Sequence, residues 1–176
     1  MVIMDKGEQI LRAARLAGEA HLGQYRKWGH ANDPYIWHPM RVAGMVMLVE
    51  NATPEMVMAA VFHDVLEDTK LTESDLIAKG FGGDVVYFVE ALTNPSKGTG
   101  LPRSERKAMD RQHLAGASWE VKVIKLADRL DNLLEMRNDP ATPEDFMEVY
   151  KGESRLLLAT LKGTNNELED KLAKMV

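Results

Sequence analysis

Helix-start signals recur along this 176-residue chain so often that they divide nearly all of it into helices. In four places a Thr or Asp able to cap a helix is followed three residues later by an acid, as in a capping box. These pairs are Asp5 with Glu8, Thr72 with Asp75, Thr142 with Asp145, and Thr164 with Glu167. Pro39, Pro54 and Pro143 stand where a first helical residue would be. The pattern predicts an all-α fold.

Helices are predicted at 5–23, 39–50, 54–68, 73–79, 83–92, 103–114, 119–137, 143–161 and 165–174. Residues 85–89 are the one run that could form a strand, but no second strand is available to pair with it, so it is assigned to a helix. The segments 27–37 and 94–102 are rich in turn-forming residues and read as connections rather than linkers. With 45% apolar residues, the chain is predicted to form one domain over residues 1–176.

Composition excludes several classes of protein. There is no run of about 18 apolar residues and no signal-peptide order at the start, which predicts a cytoplasmic protein without membrane contact. A net charge of −5 argues against a nucleic-acid partner. Residues 97–111 hold a local basic excess that could attract phosphate, although a solvated helix face is the more ordinary reading of it alone. Nothing indicates the oligomeric state.

Four ionisable residues interrupt the apolar sequence of the predicted helix 54–68: His63, Asp64, Glu67 and Asp68. On a continuous helix they would share an arc of roughly 140°. His63 alone could be a satisfied core histidine, and the two later acids a solvated face. Three carboxylates crowded beside a histidine repel one another unless a cation or solvent compensates, and a metal ion would do so.

Two further positions have the same character. His38 stands immediately before a proline, where the backbone is rigid; it suits a metal ligand and equally suits a helix N-cap. Asp128 lies in an apolar stretch of the predicted helix 119–137, and Asn132 and Glu135 share its face. The alternative for Asp128 is an ion pair with Lys125, three residues earlier.

The chain has no cysteine, so a metal must be held by imidazole and carboxylate groups. Two imidazoles and two carboxylates fit Mn²⁺ better than structural zinc, with iron and magnesium left open. Such an ion lowers the pKa of a bound water and polarises a phosphoryl oxygen. Glu67 and Asp68 could then orient the water or shuttle protons.

Taken together, His38, His63-Asp64 and Asp128 resemble the H…HD…D pattern of the HD phosphohydrolase superfamily, a family of all-α helical bundles. The order and spacing of four segments, 24–29, 34–39, 63–69 and 125–132, are similar to the motifs of the RelA/SpoT hydrolase domain. The length and the segments 101–107 and 162–169 resemble the small stand-alone alarmone hydrolases of that family.

The resemblance implies metal-dependent hydrolysis of the 3′-diphosphate of guanosine alarmones, ppGpp to GDP and pppGpp to GTP, with release of pyrophosphate. It implies metal ligands at His38, His63, Asp64 and Asp128, and an acid pair, Glu67 and Asp68, that promotes attack of water. The implied contacts to the guanosine nucleotide are Arg26, Lys27, Asn132 near the ribose, Tyr150, and, at the 5′-phosphates, residues of the basic segment such as Lys97, Arg103, Arg106 and Lys107.

Two residues depart from the family pattern. Trp28 replaces a small serine, and Asp131 stands where histidine or an aromatic residue is common; both are expected to flank the base pocket. Two other functions remain open: an HD phosphatase acting on another nucleotide such as NADPH, and a catalytically silent alarmone sensor. A purely structural helical adaptor would not need three inward-facing carboxylates beside a histidine.

Overall fold

The computed structural model describes residues 5–28 and 33–176. Those residues form α1 (Lys6–Ala20), α2 (Trp37–Met47), α3 (Pro54–Phe62), α4 (Val65–Asp68), α5 (Glu73–Ala78), α6 (Asp84–Leu92), α7 (Arg103–Ala115), α8 (Trp119–Asn138), α9 (Glu144–Thr160) and α10 (Asn166–Ala173). Within the two ranges the only β-type pairing is an isolated bridge between Tyr25 and Pro34. The predicted all-α fold is therefore confirmed. The turn residues predicted at 29 and 32 lie outside the described residues.

Two of the predicted helix starts are built as expected. Asp5 caps α1 by accepting a hydrogen bond from the backbone N–H of Gly7 at 2.6 Å. The Thr72 hydroxyl accepts from the N–H of Asp75, and the Asp75 carboxylate accepts from the N–H of Thr72, which is a complete capping box. These bonds satisfy N–H groups that a helix start leaves without internal partners.

Two other starts were predicted wrongly. Helix α9 begins after Pro143 and has no side-chain cap, so Thr142 and Asp145 do not form a box. Helix α10 is capped by Asn165, one residue later than expected. Helix α2 likewise begins before Pro39, which lies inside its first turn, where its missing N–H costs nothing.

The prediction of one continuous helix over 54–68 is wrong, and the difference matters for function. Helix α3 ends at Phe62 and α4 begins at Val65. Asp64, between them, has φ −106° and ψ −3°, at the edge of the right-handed helical region, and the run of helical residues is interrupted there. The four ionisable residues therefore do not share one helical face.

Helix α3 lies at the centre of the bundle. Every residue of its segment 56–62 is buried, and it packs against α1, α2, α6 and α8. A helix that is apolar on all sides belongs in the interior. Its carboxyl end therefore delivers His63 into the middle of the molecule. The hydrophobic core extends as one cluster from Ala13 in α1 to Leu172 in α10, and a single domain over residues 1–176 stays a prediction. No helix among the described residues is long and apolar enough to cross a membrane.

Candidate active site

The four predicted metal ligands meet at one point inside the bundle. Here they are called the metal cluster, after the role predicted for them: His38 from the start of α2, His63 and Asp64 from the α3–α4 junction, and Asp128 from α8. His38 Nε2 lies 3.2 Å from His63 Nε2 and 3.3 Å from Asp128 Oδ1. His63 Nε2 lies 2.9 Å from Asp64 Oδ2. The sequence therefore identified four side chains that the fold brings together.

The helix break explains how two neighbours in sequence reach the same point. Consecutive residues on an α-helix point about 100° apart. The helical run is interrupted at Asp64, and the Asp64 carboxylate lies beside the His63 ring. The side chain of Asp64 is 20% exposed, against 9% or less for the other three ligands, so the cluster opens to solvent on that side.

Both imidazoles are oriented by the bond that their other nitrogen makes. His63 Nδ1 lies 2.7 Å from the carbonyl oxygen of Ala60, and His38 Nδ1 lies 2.6 Å from Asp131 Oδ2. A carbonyl or carboxylate can only accept, so each Nδ1 carries the hydrogen. In the neutral rings, each Nε2 then presents its lone pair to the centre of the cluster, as metal-bound histidines do.

Asp131 has a different place from the one predicted. It is 1% exposed, so it cannot line a base pocket, and the prediction that it would do so is wrong. Its carboxylate lies between His38 and Arg41, accepting bonds of 2.7 and 3.0 Å from the guanidinium. Asp131 and Glu135 could in principle form a second cation site with His38, but Arg41 already pairs with both carboxylates.

The two carboxylate ligands are also held in place. Tyr35 donates its hydroxyl to Asp64 Oδ2 at 2.6 Å, and burial followed by the Asp64 charge raises the pKa of Tyr35, so it stays a donor. Asp128 accepts a bond of 2.6 Å from the Asn132 amide and pairs with Lys125 at 2.8 Å. Asp128 therefore forms the ion pair with Lys125 that the sequence offered as an alternative, and it also lies in the cluster.

The electrostatics of the cluster are those of a cation site. Burial lowers the pKa of His63, but the carboxylates of Asp64 and Asp128 raise it to about 9. Burial raises the pKa of Asp64, but the two histidines bring it well below its ordinary value. Two lone-pair nitrogens 3.2 Å apart repel unless a proton or a metal lies near them. The donor set of two imidazoles and two carboxylates therefore fits a divalent metal ion.

Glu67 lies beside the cluster with a fixed orientation. Its Oε1 accepts hydrogen bonds from the backbone N–H of Asn94 at 2.6 Å and from the Asn94 amide at 2.8 Å. No donor among the described residues reaches its other oxygen. Burial raises the pKa of Glu67 against the opposing influence of Asn94 and Lys125. A raised pKa in a half-buried carboxyl is the property of a proton acceptor in catalysis.

Asp68 is more exposed than Glu67. It pairs with Lys97 at 3.0 Å, and the same ammonium also donates to the carbonyl oxygen of Glu67. Gln24 donates to the Asp68 carbonyl at 2.6 Å, tying the segment after α1 to α4. Lys97 therefore joins the acid pair and is not a free member of the basic segment.

Arg26 and Asn132 form one network with the cluster. Arg26 donates to Asn132 Oδ1 at 2.7 Å and to Glu135 Oε2 at 2.7 Å, and its guanidinium lies 5.3 Å from the centre of the Tyr35 ring. Its side chain is largely buried. The predicted nucleotide contact Arg26 is thus already engaged by the protein.

An aromatic row lies beside the predicted substrate residues. Ring centres are 5.5 Å apart for Trp28 and Phe146, and 6.1 Å apart for Phe146 and Tyr150. Lys27 lies over the Trp28 ring at 4.7 Å, and Arg129 lies over the Tyr150 ring at 4.3 Å. Cations stacked on ring faces are held without neutralising their charge.

The basic residues at the start of helix α7 differ in their contacts. Arg103 pairs with Glu153 at 2.6 Å and stacks on Phe146. Arg106 and Lys107 are both half-buried, and Lys107 turns towards Asp110 at 3.6 Å.

Sequence reasoning missed the contacts of four residues that hold this site, and it had assigned Asp131 to the base pocket instead. Tyr35 and Asn94 fix the oxygens of Asp64 and Glu67, and Arg41 with Asp131 fixes His38. Tyr35 and Asn94 belong to predicted connections, and Arg41 and Asp131 to predicted helices. Their partners are 27 to 93 residues away in sequence, so no local pattern could show these contacts.

The sequence matches the HD domain family over residues 13–152. It is 37% identical over 171 residues to guanosine-3′,5′-bis(diphosphate) 3′-pyrophosphohydrolase MESH1 of Xenopus tropicalis, covering 94% of this chain and 92% of the relative. Human MESH1 is 35% identical over 173 residues, covering 96% and 93%. A solved structure described as a metazoan ortholog of SpoT that hydrolyses ppGpp superposes with a TM-score of 0.84 at 30% identity, covering 99% and 96%. The chain therefore belongs to the HD-domain family, in the group that includes MESH1.

Proposed function

We propose that this chain is a metal-dependent phosphohydrolase that removes the 3′-diphosphate of guanosine alarmones, giving GDP from ppGpp or GTP from pppGpp, with pyrophosphate. The observation that carries the proposal is the buried metal cluster with Glu67 fixed beside it by Asn94. Relatives that share nearly the whole length of the chain are named for this activity.

Mn²⁺ is the ion proposed for the cluster. Two nitrogen and two oxygen ligands, without thiolate, leave room for water or phosphate oxygens around an ion of intermediate hardness. When bound, such an ion polarises a phosphoryl oxygen and lowers the pKa of water. His38, His63, Asp64 and Asp128 would hold it, and the bonds at their outer atoms keep their donor atoms directed inward.

Glu67 is proposed as the proton acceptor. The Asn94 bonds leave one of its oxygens free to take a proton from the attacking water. The water oxygen then bonds to the phosphorus attached to the ribose, and the bond from that phosphorus to the 3′-oxygen breaks. The 3′-oxygen leaves as a hydroxyl group, taking up the proton that Glu67 accepted from the water, which returns Glu67 to its carboxylate form. Asp68, paired with Lys97, is proposed to assist by placing that ammonium near the developing charge.

The nucleotide is proposed to lie along the aromatic row. Lys27 presents a charge above Trp28, and an indole can stack on a purine. Tyr150 is proposed as a further wall of this site, and Arg106 and Lys107 as phosphate contacts. Asn132 is proposed to meet the ribose. Arg26 would exchange its bond to Asn132 or Glu135 for one to the nucleotide.

The deciding experiment is product analysis after metal-stripped protein is incubated with ppGpp, NADPH and a panel of 5′-nucleotides, each with and without Mn²⁺. We expect Mn²⁺-dependent conversion of ppGpp to GDP and pyrophosphate. Orthophosphate released from another nucleotide alone would reassign the protein to a different HD phosphatase. Tight binding of ppGpp without turnover would make it a sensor.

A further inference from the structure

Arg129 on α8 carries a buried charge that no carboxylate neutralises. It is 7% exposed, it stacks on Tyr150, and its one hydrogen bond is a long contact of 3.4 Å to the Ser154 hydroxyl. Its Nε has no partner, and within residues 5–28 and 33–176 it forms no ion pair. A buried, unpaired guanidinium is costly to maintain unless an anion compensates it.

A small cavity adjoins Arg129, here called the anion cavity. Its walls come from α7, α8 and α9 and from Asn94, and its charged members are Lys107, Asp110, Arg111, Lys125, Arg129 and Glu153. Four of the six have ion-pair partners, which use up both acids: Glu153 pairs with Arg103 at 2.6 Å, Lys125 with Asp128 at 2.8 Å, and Asp110 with Lys107 at 3.6 Å. Arg111 and Arg129 have no carboxylate partner among the described residues. Burial, and then Arg129 and Lys125, lower the pKa of Lys107, as expected where cations crowd together. The cavity therefore has an excess of positive charge.

The anion cavity lies next to the metal cluster. Lys125, on its wall, is 2.8 Å from Asp128 Oδ2. Asn94, also on its wall, holds Glu67. One side chain thus separates the cavity from a metal ligand, and one from the proposed proton acceptor. A group attached to the attacked phosphorus can reach it.

We propose that the anion cavity binds the terminal phosphate of the 3′-diphosphate, a role that rests on the proposed function. The cavity measures about 20 Å³, which is room for about one oxygen atom. A terminal phosphate oxygen enters between Arg129 and Lys125, and Lys107 at the mouth meets the remaining oxygens. The bond that breaks lies between the inner phosphorus and the ribose 3′-oxygen, so both phosphates leave together as pyrophosphate.

This assignment gives the cavity a role in substrate choice. A nucleotide with a 3′-monophosphate offers the same scissile bond but nothing to fill the anion cavity. The matched substrates are therefore ppGpp and guanosine 5′-diphosphate 3′-monophosphate, which differ only in the terminal 3′-phosphate. The cavity should raise kcat/KM for the first and leave the second unaffected.

The test is Arg129→Gln, assayed on both substrates. We expect kcat/KM to fall about 10- to 100-fold for ppGpp, as for the loss of a hydrogen bond between charged groups, with little change for the monophosphate. Arg155→Gln removes the same charge from an exposed position on α9 and should change neither. An equal loss on both substrates, or none on either, would overturn the proposal.

Folding and the proposed function can be separated from this result. Arg129 has no carboxylate partner that its loss would leave unpaired, so Arg129→Gln should keep its free energy of unfolding. Arg111→Gln, on the wall of the same cavity, gives a second variant with the same expected selectivity. Binding of radiolabelled pyrophosphate to metal-loaded protein needs no turnover. If the parent protein binds pyrophosphate, loses it in both variants, and yet does not hydrolyse ppGpp, the anion cavity stands and the proposed activity falls. If the parent protein hydrolyses ppGpp and both variants bind pyrophosphate as well as the parent does, the role proposed for the anion cavity is wrong and the proposed activity stands.

Discussion

The metal cluster and the anion cavity are both buried and charged, but they differ in whether their charged side chains have bonding partners. In the metal cluster, each ligand has a partner at its outer atom, such as Asp131 for His38 and Tyr35 for Asp64. In the anion cavity, Arg129 meets only an aromatic ring and a distant hydroxyl.

Folding alone provides the partners that orient the metal cluster, whereas Arg129 gains a charged partner only when an anion binds. The bonds at the outer atoms of the metal ligands fix their orientation before any ion arrives, so binding a metal requires little rearrangement. An uncompensated guanidinium, by contrast, gains its partner only when an anion binds. The first arrangement favours tight, permanent occupancy; the second favours selection among substrates.

Of the variants that test this comparison, Asp64→Ala should have the largest effect on metal content and turnover. It removes a ligand, and it also leaves the Tyr35 hydroxyl without its acceptor. We expect metal content to fall to background and turnover with it, measured by elemental analysis and product release on the same preparation. Asp170→Ala, at an exposed position on α10, is the control and should bind one metal per chain. An Asp64→Ala protein with full metal content would remove Asp64 from the ligand set.

Glu67→Gln should separate chemistry from metal binding. The amide oxygen can still accept the two Asn94 bonds, but a neutral amide cannot take a proton from water. We expect kcat to fall about 10²- to 10⁴-fold with metal content unchanged. Glu90→Gln, exposed on α6, is the matched control. Undiminished kcat would take Glu67 out of the mechanism.

The affinity for metal should rise with pH. In the metal-free protein the carboxylates of the cluster raise the pKa of His63 to about 9, above its ordinary value of about 6.5. Below pH 9 a metal must displace that proton, so affinity should increase about tenfold per pH unit between pH 7 and 9. The charged His63 stabilises the metal-free fold below about pH 6.5, and this contribution is lost as pH rises through about 9.

Metal titrations in two buffers of different ionisation enthalpy measure the released proton, and melting temperatures across the same pH range measure the second effect. The melting temperature of metal-free protein should fall between pH 6.5 and 9 by more than that of metal-loaded protein. A metal affinity that did not vary with pH would mean that His63 is already neutral.

Local and compositional signals predicted the helices, and together with the resemblance to the HD family they predicted the four side chains that the fold brings into the metal cluster. Capping residues and apolar periodicity mark α1, α5 and α6 within a few residues of their ends. The ligands are conspicuous because a histidine and acids interrupt apolar runs, which is costly unless they have partners.

The α3–α4 break could not be predicted in the same way. Ala60, Val61, Val65 and Leu66 continue a helical apolar pattern across it, so periodicity gives no sign that the backbone changes direction. Helix α3 packs against four other helices, and contacts between residues distant in sequence leave no local pattern. The role of Asp131 depends likewise on α2 crossing α8, which brings it to His38, 93 residues away.

Asp131→Asn tests whether orientation alone strengthens the metal cluster. The amide has the same shape, but it removes the charge that holds His38 Nδ1 and Arg41. Loss of such a partner typically weakens metal binding about 10- to 100-fold. Competition titration with a chelator measures the affinity, with Asp170→Asn as control. An affinity equal to that of the parent would show that helix α2 alone orients His38.

Arg26→Ala should have the smallest effect. In the free protein Arg26 already bonds to Asn132 and Glu135, so contact with a nucleotide exchanges one hydrogen bond for another and contributes a modest net energy. We expect KM for ppGpp to rise about 3- to 10-fold with little change in kcat. Arg155→Ala, which removes a guanidinium from an exposed position on α9, is the control. If Arg26→Ala instead lowers kcat and metal affinity together, the main role of Arg26 is to hold Asn132 against Asp128. Arg26 would then be one of the residues that orient the metal cluster.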